Sequence, residues 1–183
     1  MITAKDFLEE WKKETYGLVD FDKKVIELFS LTKETKDFLI EAGLPESSPP
    51  FLTFESSING GGVRLTDKYV NVEEVYSKFI YVGYTGSGAP ICIDEENDEV
   101  IYIDNENDNE EIFINSSISQ LAESLIVYVD FIEKIKNVKG KKAYFERNAT
   151  KELLSWIANR LQKIDSDSLV QGSFWEEELS TFN

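Results

Sequence analysis

Histidine is absent from this chain of 183 residues. Histidine is the most common general base of enzymes and the most common protein ligand of transition metals, so its absence removes both. Catalytic pairs of Ser with His or of Cys with His are excluded as well. Carboxylates can still carry acid–base chemistry or hold a hard cation, so this absence disfavours an enzyme but leaves it open.

Cysteine occurs once, as Cys92. A single thiol cannot form an internal disulfide and supplies too few soft ligands for a zinc site. No apolar run approaches the roughly 20 residues that cross a bilayer, and the first residues lack the basic and apolar segments of a secretory signal. We therefore expect a cytoplasmic protein that holds no metal and no cofactor.

Basic residues are scarce. The chain has 19 Lys and Arg against 35 Asp and Glu, which gives a formal net charge of −16. A charge of this sign repels phosphate backbones and anionic lipids, so we expect neither nucleic acid nor a membrane as a partner. A basic protein would be attracted instead. The alternative interpretation is that the charge only keeps the protein soluble.

The remaining composition is that of a folded domain. Hydrophobic residues make up 42% of the chain and aromatic residues 13%, which is unlike a disordered protein. A chain of this length builds one substantial core and is short of two ordinary domains. We expect a single domain over residues 1–183, and the sequence leaves its oligomeric state open.

Hydrophobic periodicity places helices at both ends of the chain and strands between them. Helices are predicted over residues 3–14, 32–42 and 150–163, and a long one begins after Ser117, with Thr3, Thr32 and Ser117 as N-caps. Strands are predicted over residues 51–54, 78–82, 89–94, 99–104 and 111–115. This order indicates an α+β fold with a mostly antiparallel central sheet flanked by helices. The aromatic tail around Trp175 is predicted to pack onto the body.

Two patterns invite ligand-binding hypotheses. Gly83, Gly86 and Gly88 have the wrong order for a dinucleotide-binding turn, and a strand follows them, so a hairpin turn is the preferred interpretation. Residues 94–105 and 104–115 begin like calcium-binding EF-hand loops but lack glycine at position six and glutamate at position twelve. A weak divalent-cation site at these carboxylates stays an alternative.

A dense acidic run is the strongest functional signal. No Lys or Arg occurs between Phe79 and Glu133. Like charges packed on neighbouring strand ends and turns repel one another, and a single edge that carries them suits a basic partner. The alternative is a solvated hairpin tip. The predicted partner-binding residues are Asp94, Glu95, Glu96, Asp98, Glu99, Asp104, Glu106, Asp108, Glu110 and Glu111.

Several segments occur in a fixed order along the chain. They are Gly43-Leu44-Pro45 after a helix, a strand at 51–54, Ile80-Tyr81-Val82-Gly83 running into 86–94, Glu99-Val100-Ile101-Tyr102, Phe113-Ile114-Asn115-Ser116-Ser117 before a long helix, and Ser173-Phe174-Trp175-Glu176-Glu177-Glu178-Leu179. In this order, the segments resemble the SUKH superfamily, and most of all its fourth group of bacterial immunity proteins. The resemblance covers about residues 30–183.

The resemblance implies a SUKH-like α+β fold and a role in neutralising a secreted toxin, often a nuclease or a nucleic-acid deaminase. It implies direct binding to the toxin protein in the cytoplasm and carries over no catalytic residue. Two alternatives stay open. One is a regulatory or scaffold module with several partners of moderate affinity, and the other is a carboxylate-dependent enzyme or divalent-cation binder.

Overall fold

The computed structural model of the protein describes residues 1–182, apart from the side chains of residues 13 and 14. Its strands form one sheet of β1 (Ser47–Ser48), β2 (Leu52–Phe54), β3 (Val63–Arg64), β4 (Phe79–Tyr84), β5 (Pro90–Asp94), β6 (Val100–Asp104) and β7 (Glu110–Asn115). The helices are α1 (Ala4–Glu10), α2 (Lys13–Tyr16), α3 (Lys23–Ile26), α4 (Lys33–Glu41), α5 (Leu65–Lys68), α6 (Ile118–Lys139), α7 (Lys151–Ile164) and α8 (Phe174–Ser180). The α+β fold expected from the sequence is confirmed.

Neighbouring strands of the sheet run antiparallel. The order is β1-β2-β4-β5-β6-β7, and β3 pairs with β4 beside β2. Short turns join β1 to β2 and link β4, β5, β6 and β7 in succession, and such turns can only connect antiparallel neighbours. The central antiparallel sheet predicted from the hairpin signals is therefore confirmed.

The antiparallel order sorts the turns onto two ends of the sheet. Tyr84 pairs with Thr53 and with Pro90, so the turns at 49–51 and 85–89 share one end. The turn at 105–109 lies at that end too, because β5 and β6 are antiparallel. We call it the Gly86 end. The turn at 95–99 lies at the opposite end, which we call the Glu96 end.

The first helix is shorter than predicted. The pattern predicts one helix over residues 3–14, whereas α1 ends at Glu10 and α2 begins at Lys13. The backbone is extended at Trp11, whose indole N–H donates to the carbonyl of Gly17 at 3.2 Å. The ring is buried and stacks on Phe7 at 5.5 Å between centroids. Burial of this large ring decides the path of the chain, over the helical preference of the residues that follow.

The other predicted helix boundaries are confirmed by their caps. Thr32 accepts a hydrogen bond from the N–H of Thr35 at the start of α4, and Ser117 accepts one from Gln120 at the start of α6. Gly43 follows α4 with φ +68°, where a Cβ would lie 2.0 Å from the carbonyl oxygen of Val19. Glycine is therefore required at that position. No helix in the described part of the chain combines the length and apolar character needed to cross a membrane.

Both faces of the sheet are buried. One face packs on the helices, mainly α6, through Ile80, Val82, Ile91, Ile93, Val100 and Ile114. The other face forms a smaller core of Leu65, Phe79, Tyr81, Cys92, Ile101 and Ile103. Residues 65–78, for which the sequence pattern predicts no element, cover this second face. Burial there raises the pKa of the Cys92 thiol, so the thiol stays protonated at neutral pH.

The aromatic tail packs as predicted, and a polar network fixes it. Trp175 in α8 is fully buried, and its indole N–H donates to Asn115 Oδ1 at 3.0 Å. The amide of Asn115 in turn donates to the Asp165 carboxylate at 3.1 Å. That carboxylate also accepts from the backbone N–H and the hydroxyl of Ser116, at 2.7 and 3.0 Å. The network joins the end of β7 to α7 and α8.

We expect Asn115→Ala to lower the free energy of unfolding by about 2–4 kcal/mol. The substitution leaves the buried indole N–H of Trp175 without an acceptor and removes one donor from Asp165. Urea denaturation followed by tryptophan fluorescence measures the change.

Asn137→Ala on the exposed face of α6 is the matched control and should change the free energy by less than about 0.5 kcal/mol. A loss below about 1 kcal/mol for Asn115→Ala would mean that the network does not hold α8 in place.

Candidate functional site

The acidic run does not form one edge, so that expectation is wrong. Antiparallel strands place successive turns at alternate ends, and β6 separates the two groups of carboxylates. Asp94, Glu95, Glu96, Asp98 and Glu99 lie at the Glu96 end. Asp104, Glu106, Asp108, Glu110 and Glu111 lie in or next to the turn at the Gly86 end.

Three carboxylates at the Glu96 end are paired with cations. Asp94 is buried and lies 2.8 Å from the ammonium of Lys78, which also lies 3.4 Å from Glu96. The Glu95 carboxylate lies 2.7 Å from Arg64 and accepts the backbone N–H of Ser30 at 2.5 Å. These contacts neutralise much of the charge at this end.

A fourth carboxylate at this end binds the backbone. Asp98 is buried, and it accepts the N–H of Thr32 at 3.2 Å together with the Thr32 hydroxyl. It therefore anchors the start of α4 to the turn at 95–99. Of the predicted partner-binding residues at the Glu96 end, Glu96 is exposed and Glu99 is half-buried.

The Gly86 end has a different character. Glu106, Asp108, Glu110 and Glu111 are exposed and Asp104 is half-buried. Among the described residues, none of these five forms an ion pair with Lys or Arg. Their hydrogen bonds are local, such as the Glu106 N–H to Asp104 at 3.0 Å. The carboxylates of this turn therefore lack a directly paired cation in the described part of the chain, and most of them face solvent.

Phe51 is the most unusual residue at the Gly86 end. Its φ is +62°, and its side chain is 58% exposed. A left-handed backbone is an outlier for a bulky residue and costs on the order of 1–3 kcal/mol. Gly86 lies against it, since a Cβ added there would be 2.9 Å from the Cβ of Phe51. The glycine permits the two turns to touch.

Two open clefts meet at Phe51. The first, of about 680 Å³, is lined by the β1–β2 turn, Tyr84, the 85–88 turn and Tyr144. The second, of about 470 Å³, runs from the same turns to Tyr102 in β6 and Phe174 in α8. Phe51 and residues 85–87 belong to both. Together they form a groove with an aromatic floor at the end that carries the unpaired carboxylates.

Carboxylates also lie inside the second cleft. Glu177 and Glu178 of α8 line it. Glu178 is paired with Arg147 and accepts the hydroxyl of Tyr128. Glu177 is exposed. Burial, followed by the nearby charges of Glu177, Asp104 and Glu110, raises the pKa of Tyr102 to about 12. The field at the tyrosine is therefore negative, which favours a cation in the cleft.

The glycine pattern builds a turn, as preferred from the sequence. The N–H of Thr85 donates to the carbonyl of Ala89 and the N–H of Gly88 to the carbonyl of Thr85, both at 2.9 Å. The two segments that begin like EF-hand loops are flanked by strands. Among the side chains that the structure describes, no group of three or more Cys, Asp or Glu is arranged to hold a metal ion.

Sequence reasoning missed Phe51 and its clefts. The strand prediction for 51–54 included Phe51, but β2 begins at Leu52 and Phe51 belongs to the turn. Pro49 and Pro50 mark a turn, yet nothing in the sequence shows that the aromatic after them is exposed. The segments that meet there, 49–51, 85–88 and 174–177, are far apart in the chain.

The Glu95 carboxyl links stability to pH. Burial pushes its pKa up, but hydrogen bonds from Arg64 and the Ser30 N–H outweigh burial and hold the pKa below its ordinary 4.5. Such a carboxyl stabilises the fold above its unfolded pKa, and this contribution disappears as pH falls through the folded pKa. We expect the free energy of unfolding to fall below about pH 4.5, and Glu95→Gln to flatten that fall.

Urea denaturation at a series of pH values measures this slope. Glu106→Gln removes an exposed carboxylate of the same type and should leave the slope unchanged. Equal slopes in the parent and Glu95→Gln would show that the contacts with Arg64 and Ser30 do not stabilise the protein.

Comparison with protein families gives one match. The model of the SUKH-4 immunity protein family matches residues 3–181, which confirms the resemblance found in the sequence motifs. The match supports a role as an immunity protein with a toxin partner, a class that is generally non-enzymatic. Comparison with curated proteins and with solved structures gave no match. Since nearly the whole length is matched, the chain belongs to the SUKH-4 immunity protein family.

Proposed function

We propose that this protein binds a basic toxin protein in the cytoplasm and neutralises it by covering the toxin's active site, without chemistry of its own. Family membership supports the immunity role. The observation that carries the choice of surface is the turn at 105–109, whose carboxylates have no Lys or Arg partner among the described residues.

Electrostatics explains why such a turn suits this role. Uncompensated charge on one end of a protein raises the rate at which an oppositely charged partner arrives. An immunity protein must reach its toxin before the toxin reaches its target, so a fast association rate has direct value. Of the ten predicted partner-binding residues, we propose that Asp104, Glu106, Asp108, Glu110 and Glu111 act in this way, which is supported by their lack of an ion pair among the described residues.

The charge also favours one class of toxin. Nucleases and nucleic-acid deaminases bind a polyanion, so their active-site clefts are basic. An acidic surface imitates the charge of the nucleic acid and fits the same cleft. We therefore propose a nuclease or a nucleic-acid deaminase as the toxin.

A pull-down from the source cells at low and high salt, with mass spectrometry, identifies the partner. The expected result is one basic protein retained at high salt whose toxicity disappears when the two proteins are produced together. Several proteins retained with moderate affinity would support a regulatory or scaffold module instead. If many basic proteins bound at low salt and all dissociated at high salt, the acidic turn would bind basic proteins without specificity.

We expect the triple variant Glu106→Gln, Asp108→Asn, Glu110→Gln to associate with the toxin about tenfold more slowly at low salt. The dissociation rate should change much less, because the replaced residues lie at the exposed rim. Stopped-flow mixing at several salt concentrations measures both rates and their salt dependence.

The matched control replaces Glu9, Glu10 and Glu41 by Gln, which removes the same charge from exposed positions on α1 and α4. If the control and the triple variant slow association equally, net charge alone steers the partner and the Gly86 end has no special part.

A further inference from the structure

The left-handed backbone of Phe51 destabilises the folded state. Its left-handed backbone suits glycine or asparagine, and more than half of its side chain contacts solvent. Packing of a fully buried ring could offset the destabilisation by the backbone, but this partly exposed ring offsets only part of it. Strained residues of this kind cluster at binding sites, because the fold holds them for contacts made outside it.

The surroundings of Phe51 match the centre of a protein interface. Large aromatic side chains dominate such centres, and charged groups form the rim. Here Tyr84, Tyr102 and Phe174 line the clefts on either side of Phe51. The acidic turn at 105–109 follows β6 at the same end of the sheet.

Charge selects the kind of side chain that fits. No Lys or Arg lines either cleft in the described part of the chain, whereas Glu177 is exposed in the wall of the second. The carboxylate of Glu177 has no hydrogen-bond or ion-pair partner among the side chains that the structure describes. An aromatic cleft with an unpaired carboxylate in its wall attracts a cation that has a flat apolar surface.

We propose that Phe51 is the apolar anchor of the partner interface, and that the cleft between Phe51, Phe174 and Glu177 receives an arginine side chain of the partner. The identity of the partner as a basic toxin rests on the proposed function. The site itself is defined by this chain. Arginine fits better than lysine because its planar guanidinium stacks on aromatic rings and pairs with a carboxylate through two parallel hydrogen bonds.

A titration that needs no toxin tests the cleft. The probe is a glycine pentapeptide with one central arginine, acetylated and amidated at its ends, added to the full-length ¹⁵N-labelled protein. We expect saturable shifts of the amide signals of Gly86, Ser87 and Glu177. The lysine peptide should bind at least about threefold more weakly. The citrulline peptide, which has the same shape without the charge, should cause no saturable shift.

Two variants identify the side chains responsible. Phe51→Asn keeps a residue that tolerates positive φ, so the melting temperature should stay equal or rise while arginine affinity falls about fivefold. Glu177→Gln should weaken arginine binding and bring the arginine and citrulline peptides close together. Leu28→Asn is the control, since Leu28 is 78% exposed and its neighbour Ser30 contacts Glu95 at the Glu96 end.

The proposal would be overturned if the arginine peptide shifted mainly the amide signals of Glu106 and Asp108, or if it caused no saturable shift. A Phe51→Asn variant that loses stability and keeps its affinity for arginine would overturn it as well. With a toxin identified, Phe51→Asn should raise the dissociation rate about tenfold and leave the association rate nearly unchanged.

The two proposals can fail separately. Specific arginine binding in a protein that neutralises no toxin would remove the proposed function and keep the cleft. A Phe51→Asn variant that neutralises the toxin and binds it with the affinity of the parent protein would support the proposed function. It would contradict the role of Phe51 as the anchor of the interface.

Discussion

The antiparallel pairing of β4 to β7 through short turns is the constraint on which the rest of the structure depends. Because side chains alternate along each strand, Val100 enters the large core under the helices, and Ile101 enters the small core under residues 65–78. Because the chain reverses at each turn, successive turns lie at opposite ends of the sheet. One register therefore fixes both the two cores and the placement of the surface loops.

That placement divides the acidic residues into two groups with different structural roles. At the Glu96 end, Asp94 and Asp98 are buried and satisfied by Lys78 and by the start of α4. Such carboxylates hold elements together, and their removal would leave their partners unpaired. At the Gly86 end, Glu106 and Asp108 have no such partners among the described residues and keep their charge in water. The sequence shows one acidic run, and only the fold distinguishes its two halves.

Most of the structural predictions that were confirmed rest on signals from residues that are close together in the chain. The caps at Thr32 and Ser117 and the glycine at 43 act within a few residues, so the ends of α4 and the start of α6 could be placed without tertiary structure. Strands joined by tight turns were equally accessible, because the turn residues set the pairing.

The features that were missed depend on contacts between distant segments. The break of α1 at Trp11 follows from where one ring is buried. The cover of the second sheet face by residues 65–78 lacks a periodic pattern. The partner of Asp98, at Thr32, is 66 positions away. For the acidic run, residue type was sufficient to suggest a charged surface, but not to show which carboxylates the fold itself uses.

On the proposed function, the position of Phe51 at the same end of the sheet as the acidic turn affects the kinetics of binding. Exposed charge acts over distances near the Debye length and sets mainly how fast a partner arrives. Apolar contact acts only once the surfaces touch, and sets mainly how long the partner stays. The two can serve one complex only if they face the same partner. The turns at 49–51, 85–89 and 105–109 share an end of the sheet because β2 begins there and β4 and β6 both end there. The topology that sorts the carboxylates therefore also brings Phe51 to the end that carries those without an ion-pair partner among the described residues.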